Sequence, residues 1–85
     1  MTTMTDRHLT ISPRERELVR LIAAGLTEKE CAERMGVGAR TIKGMADQLR
    51  HKLGVRDRRS IPMAYWRATN DDPFPEDEAA LAASE

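Results

Sequence analysis

The sequence predicts an all-α domain of four short helices followed by an acidic tail without fixed structure. Three observations carry that expectation. Apolar residues recur at three- and four-residue spacing in four separate stretches. The stretches are punctuated by helix signals, with Ser12-Pro13 and Thr27 as starts and Gly25, Gly36 and Gly54 as stops. Charge divides along the chain, leaving a basic body and an acidic end.

Eighty-five residues make one domain at most. A chain this short hides only about 60% of the surface that its unfolded form exposes, so its stability is marginal. The aromatics are Tyr65, Trp66 and Phe74, which leaves an aliphatic core. Formal net charge is zero, but all 14 Lys and Arg precede residue 70, and six of the 14 acids follow it. The first 69 residues therefore carry 14 − 8 = +6, all of it arising within residues 36–69. One cysteine excludes an internal disulfide and argues against a zinc site. No apolar run approaches a membrane span and no signal peptide is visible, so a cytoplasmic bacterial or phage protein is expected. Separately, no cofactor and no small-molecule ligand are expected.

Residues 1–8 read as a flexible arm, with His8 an exposed arm residue. Leu9 and Ile11 are expected to tuck onto the core. Ser12, Pro13 and Glu15 start the first helix as cap, first helical position and closing residue of a capping box. Leu18, Leu21 and Ile22 form its buried stripe, with Val19 at the edge, and Gly25 ends it. Leu26 staples the entry to the second helix, about 28–35, which Thr27 and Glu30 cap. Cys31, Ala32 and Met35 share its apolar face. Cys31 reads as a small buried hydrophobe, with no neighbouring group to activate it. Gly36-Val37-Gly38 forms the turn.

The third helix, about 39–52, is the longest. Ile42, Met45, Ala46, Leu49 and Leu53 fall on one stripe. Its opposite face carries Arg40, Lys43, Gly44, Asp47, Arg50 and His51. A helix held by one apolar flank, with a mostly basic opposite flank, suits insertion into a DNA major groove. Gly54 stops it and Val55 anchors the chain. Asp57 or Ser60 can cap the fourth helix, expected from near Ser60 to Thr69 with Pro62 in its first turn. Ile61, Ala64, Tyr65 and Ala68 face the core. Trp66 and Met63 lie to the side, where a second copy or the folded-back Pro73-Phe74-Pro75 would cover the Trp, or it stays plainly exposed. From Asn70 order is expected to fail, with at most a short frayed helix over 76–84.

Read together, residues 9–68 resemble the LuxR-type (GerE-type) helix-turn-helix domain of bacterial transcription regulators. The matching pieces are Ser-Pro-Arg-Glu-Arg-Glu (12–17), Leu-Ile-Ala-Ala-Gly-Leu-Thr (21–27), Lys-Glu-Cys-Ala-Glu-Arg-Met-Gly-Val (29–37), Arg-Thr-Ile-Lys (40–43) and Lys-Leu-Gly-Val-Arg (52–56). The resemblance implies a domain at 9–69 that binds double-stranded DNA, usually as a pair, with the third helix in the major groove and the last helix making the dimer contact. It resembles the small stand-alone members of actinobacteria and their phages. Three positions depart from the family. Met45 stands where His is usual, which reads as a packing change. Gly44 either lets backbone approach DNA closely or marks a position with little side-chain demand. Asp47 either accepts from a cytosine amine or repels phosphate.

On that footing Thr27, Lys29, Arg40 and Thr41 would hold phosphates. Lys43, Asp47 and Gln48 would meet base edges, beside Gly44. Arg50, Lys52, Arg56, Arg58 and Arg59 would supply backbone charge. Met63, Trp66 and Arg67 would contact a second copy or another partner. The alternative function is an adaptor that binds RNA polymerase or a sigma factor with little DNA affinity of its own. An enzyme is not expected, because no paired-carboxylate site, nucleophile–base arrangement or glycine-rich phosphate loop is present.

Overall fold

The computed structural model describes residues 10–75. They form α1 (Pro13–Ala23), α2 (Glu28–Met35), α3 (Ala39–Leu53), a single 3-10 turn (Arg58–Ser60) and α4 (Ile61–Thr69). The arm at 1–8, Leu9 and the frayed helix expected at 76–84 lie outside the described residues.

The predicted caps are formed. Ser12 Oγ accepts from Glu15 N at 3.1 Å, and Glu15 Oε1 accepts from Ser12 N at 2.9 Å. Thr27 and Glu30 repeat the arrangement at 3.1 and 2.8 Å. Gly36 and Gly54 end α2 and α3 in the left-handed region, at φ 69° and 70°. Asp57 accepts from Ser60 N at 3.0 Å and so caps the 3-10 turn, which leads directly into α4 with Pro62 in its first turn.

α3 packs on α2 and α4, and α1 lies across all three. The core is Leu18, Val19, Cys31, Ala32, Met35, Ile42, Ala46, Leu49, Ile61 and Tyr65. Two stripes differ from expectation. On α1, Val19 is wholly buried while Leu21 and Ile22 are half-buried, because the stripe runs through Glu15. On α4, Ala68 is exposed and Pro62 is buried. Thr69 takes the inward place in the last turn, donating to the Tyr65 carbonyl at 2.8 Å.

Glu15 is admitted to the core because Lys52 reaches it. Lys52 Nζ donates to both carboxylate oxygens, at 2.9 and 3.0 Å, and to the Thr10 carbonyl at 2.7 Å. Burial alone pushes the Glu15 carboxyl up, but the Ser12 amide and Lys52 outweigh it, and the net shift is downward.

The expectation of disorder from Asn70 is corrected for residues 70–75. Asn70 closes α4 at φ 63°, and the chain then turns back along the body. Tyr65 Oη donates to Asp71 Oδ2 at 2.6 Å, and Arg16 Nε reaches the same oxygen at 3.1 Å. Pro73 is fully buried. Phe74 meets Trp66 with ring centroids 5.9 Å apart and lines a groove with Ile22, Leu26 and Pro62. The Tyr65 hydrogen bond, then Arg16 and Arg20, hold the Asp71 carboxyl below its ordinary value against the opposing effect of burial. Composition alone marks this segment as an unstructured acidic tail; Arg16, its nearer partner on α1, lies 55 positions from Asp71.

Two predictions follow from these ties. Lys52→Met leaves a buried carboxylate short of a partner and should cost about 1–3 kcal/mol, read as a lower urea midpoint with unchanged slope. Because Glu15 titrates below its usual 4.5 in the folded state, the pair's contribution is complete above that pH and is lost as pH falls through the lowered value. The wild-type advantage over Lys52→Met should therefore shrink in acid. Tyr65→Phe should raise the Asp71 pKa toward 3.8 in a carboxyl-detected NMR titration and disturb Trp66 fluorescence. An unchanged Asp71 titration would contradict the strap geometry.

Candidate nucleic-acid interface

The turn between α2 and α3 fixes the exit angle of the longest helix. Val37 half-buries against the core while Gly36 and Gly38 flank it, and Val37 N donates to the Ala32 carbonyl at 3.0 Å. Gly38 is the N-cap of α3 and supplies no side-chain cap. Ile42, Ala46 and Leu49 are buried, and Met45 and Leu53 are half-buried beside them. At 3.6 residues per turn this places Arg40, Gly44, Asp47 and His51 along the outermost strip. All four are exposed. His51 thus shares the strip with the candidate site residues, although only its place on the polar face was evident beforehand. A Cβ added at Gly44 would meet nothing within 4 Å, so the body of the domain places no demand on that position.

Lys43 and Arg50 flank the strip on the side of α2 and the 56–59 loop. They line a hollow of about 350 Å³ together with Arg58 and Arg59 and with the acids Glu28, Asp47 and Asp57. The loop thus brings two arginines up against the flank of α3. Arg56 is also exposed, and its carbonyl accepts from Arg50 Nη1 at 2.8 Å. The other end of the Arg50 guanidinium pairs with Asp47. Lys29 is exposed at the second position of α2, and Thr27, whose hydroxyl oxygen caps that helix, is exposed just before it. Thr41 and Gln48 are exposed on the other flank of α3.

Lys52 does not join this surface. It leaves α3 on the side facing α1, where Glu15 and the Thr10 carbonyl hold its ammonium. Its predicted service as backbone charge is therefore replaced by a place in the fold. Of the remaining candidate cations, Arg40, Lys43 and Arg50 lie on α3, Arg56, Arg58 and Arg59 follow it, and Lys29 stands apart on α2.

Met63, Trp66 and Arg67 form the outward strip of α4. Met63 is 46% and Trp66 37% exposed, the latter despite its contact with Phe74. Of the coverings considered for Trp66, the chain's own Phe74 supplies one in part. Burial pushes the Cys31 thiol above its ordinary value, which leaves it protonated and inert. Among the described residues, no three His, Cys, Asp or Glu side chains are grouped to hold a metal. No helix among them is long and apolar enough to cross a membrane.

The chain is similar to a probable HTH-type transcriptional regulator, GfsR, of Streptomyces halstedii, with 38% identity over 58 residues. The match covers 68% of this chain but only 24% of that relative. No solved structure matches the chain significantly. The family described as bacterial regulatory proteins, luxR family, matches residues 9–64, from just before α1 into α4. With its caps, its glycine turn and its outward-facing third helix in the matching order, the chain belongs to the luxR family of bacterial regulatory proteins.

Proposed function

We propose that the chain is a sequence-specific DNA-binding regulator that lays α3 in the major groove and acts as a homodimer. One observation carries the reading. The aliphatic stripe of α3 is consumed by the core, while Arg40 and Lys43 stand exposed and Lys43 lines one hollow with Arg58 and Arg59. A polyanion meeting that face encounters cations from two separate chain segments at once. Arg40, Arg58 and Arg59 contact phosphates and set register, with Thr27, Lys29, Thr41 and Arg56 at the margins. Lys43 and Gln48 face base edges.

A single module of this kind buries about 600–1,000 Å² of protein surface on DNA, so one copy binds weakly. Pairing through Met63, Trp66 and Arg67 on α4 places two third helices about one helical turn of DNA apart. The same exposed strip supports a second reading, in which RNA polymerase or a sigma factor docks there. Little or no duplex binding by the chain alone, together with capture of polymerase by wild type but not by Trp66→Ala, would favour that adaptor.

Selection of bound sequences from a random duplex pool, followed by titration at several salt concentrations, tests the main reading. Lys43→Ala should weaken binding to the selected sequence by about tenfold or more, the scale of one lost base-edge contact. Lys52→Met should leave the salt dependence unchanged under conditions in which it remains folded. A salt slope with no sequence preference, or a Lys43→Ala variant that binds as wild type, would contradict the assignment.

A further inference from the structure

Asp47 occupies the outermost strip of α3, where a negative charge opposes a polyanion. It pairs with Arg50, one turn further along the helix. The same guanidinium donates through Nη1 to the Arg56 carbonyl at 2.8 Å. Arg50 is therefore held at both ends, to the helix that carries it and to the loop that leaves it.

The fold has little need of this arrangement. Exposed ion pairs at this spacing stabilise helices by only a few tenths of a kcal/mol. Its consequence is electrostatic. Arg50 lines the same hollow as Lys43, Arg58 and Arg59, and would otherwise be a long, mobile cation able to reach phosphate on any sequence. Pairing cancels one positive charge at the C-terminal half of α3, while Arg40 and Lys43 remain exposed at its N-terminal half.

Resting on the reading of α3 as the DNA-facing helix, we propose that Asp47 is a positioning residue that limits sequence-independent binding by acting through Arg50. It holds the guanidinium on the Arg56 carbonyl and out of phosphate contact. Contacts to phosphate carry no sequence information, and every non-specific site in a genome competes through them. Confining the phosphate footprint to the N-terminal half of α3 and the 58–59 loop leaves that competition weaker. Asp47 is then an element working against wrong sites, and not a reader of cytosine.

The test measures affinity for random-sequence duplex across a salt series, using wild type, Asp47→Asn, Asp47→Glu, Arg50→Gln and the Asp47→Asn/Arg50→Gln double variant. Asp47→Asn should bind about three- to tenfold tighter at low salt, with a salt slope steeper by about 0.9, the value for one added phosphate contact. Asp47→Glu should restore wild-type behaviour. Arg50→Gln should abolish the gain in the Asp47→Asn background, and thermal melting should be unchanged throughout. A gain that survives in the double variant would overturn the role of Arg50. An Asp47→Asn variant that loses only affinity for the selected sequence would overturn the proposal in favour of base reading. Wild type that binds no duplex even in dilute buffer would overturn the DNA reading beneath it.

Discussion

Burial of one flank of α3 is the constraint on which the rest of the structure depends. Ile42, Ala46 and Leu49 leave no choice of rotation for a helix whose neighbours α2 and α4 already fill the other sides of the core. Once that flank is fixed, the 3.6-residue repeat determines what faces outward. Arg40, Lys43, Gly44 and Asp47 are presented because Ile42 and Ala46 are not. The exposure of the candidate interface is therefore a consequence of core packing, and a substitution in the stripe alters the face without touching it.

Two longer ties brace this arrangement from outside. Glu15 and Lys52 join the first turn of α1 to the last turn of α3, and the Thr10 carbonyl completes the ammonium's partners. A carboxylate this buried survives because its charge is met by a cation and an amide together. At the other end, Asp71 gathers Tyr65, Arg16 and, more distantly at 4.0 Å, Arg20. That strap ties α4 to α1 and brings Phe74 against Trp66. Arg16 and Arg20 of α1 are thus committed to the strap, while Arg58 and Arg59 remain beside α3.

Local structure was legible because its causes are local. A capping box spans four residues, and a glycine in the left-handed region needs only its own missing Cβ; both Thr27–Glu30 and Gly54 were readable from neighbours alone. Asn70 carries a comparable signal, since asparagine tolerates positive φ, but the run of prolines and acids beyond it suggests an unstructured tail instead. What escaped was set by distant partners. Glu15 looked like an ordinary capping acid, and nothing in its neighbourhood announces a lysine 37 positions away. With Glu15 taken only as a capping residue, the predicted stripe of α1 rested on Leu18, Leu21 and Ile22. Lys52 was correspondingly placed with the DNA-facing cations. The Asp47–Arg50 pair was within reach, because three-residue spacing brings such groups together on a helix, yet both were weighed as separate contacts to DNA.

The account stands or falls on which surface meets a duplex. The most direct measurement is an amide chemical-shift map of the folded protein on addition of selected duplex at low salt. The account predicts that the shifts concentrate at residues 40–48 and 56–59, and that they vanish as salt is raised. Shifts centred on Met63, Trp66 and Arg67 with α3 unmoved, or no shifts at any salt concentration, would contradict it.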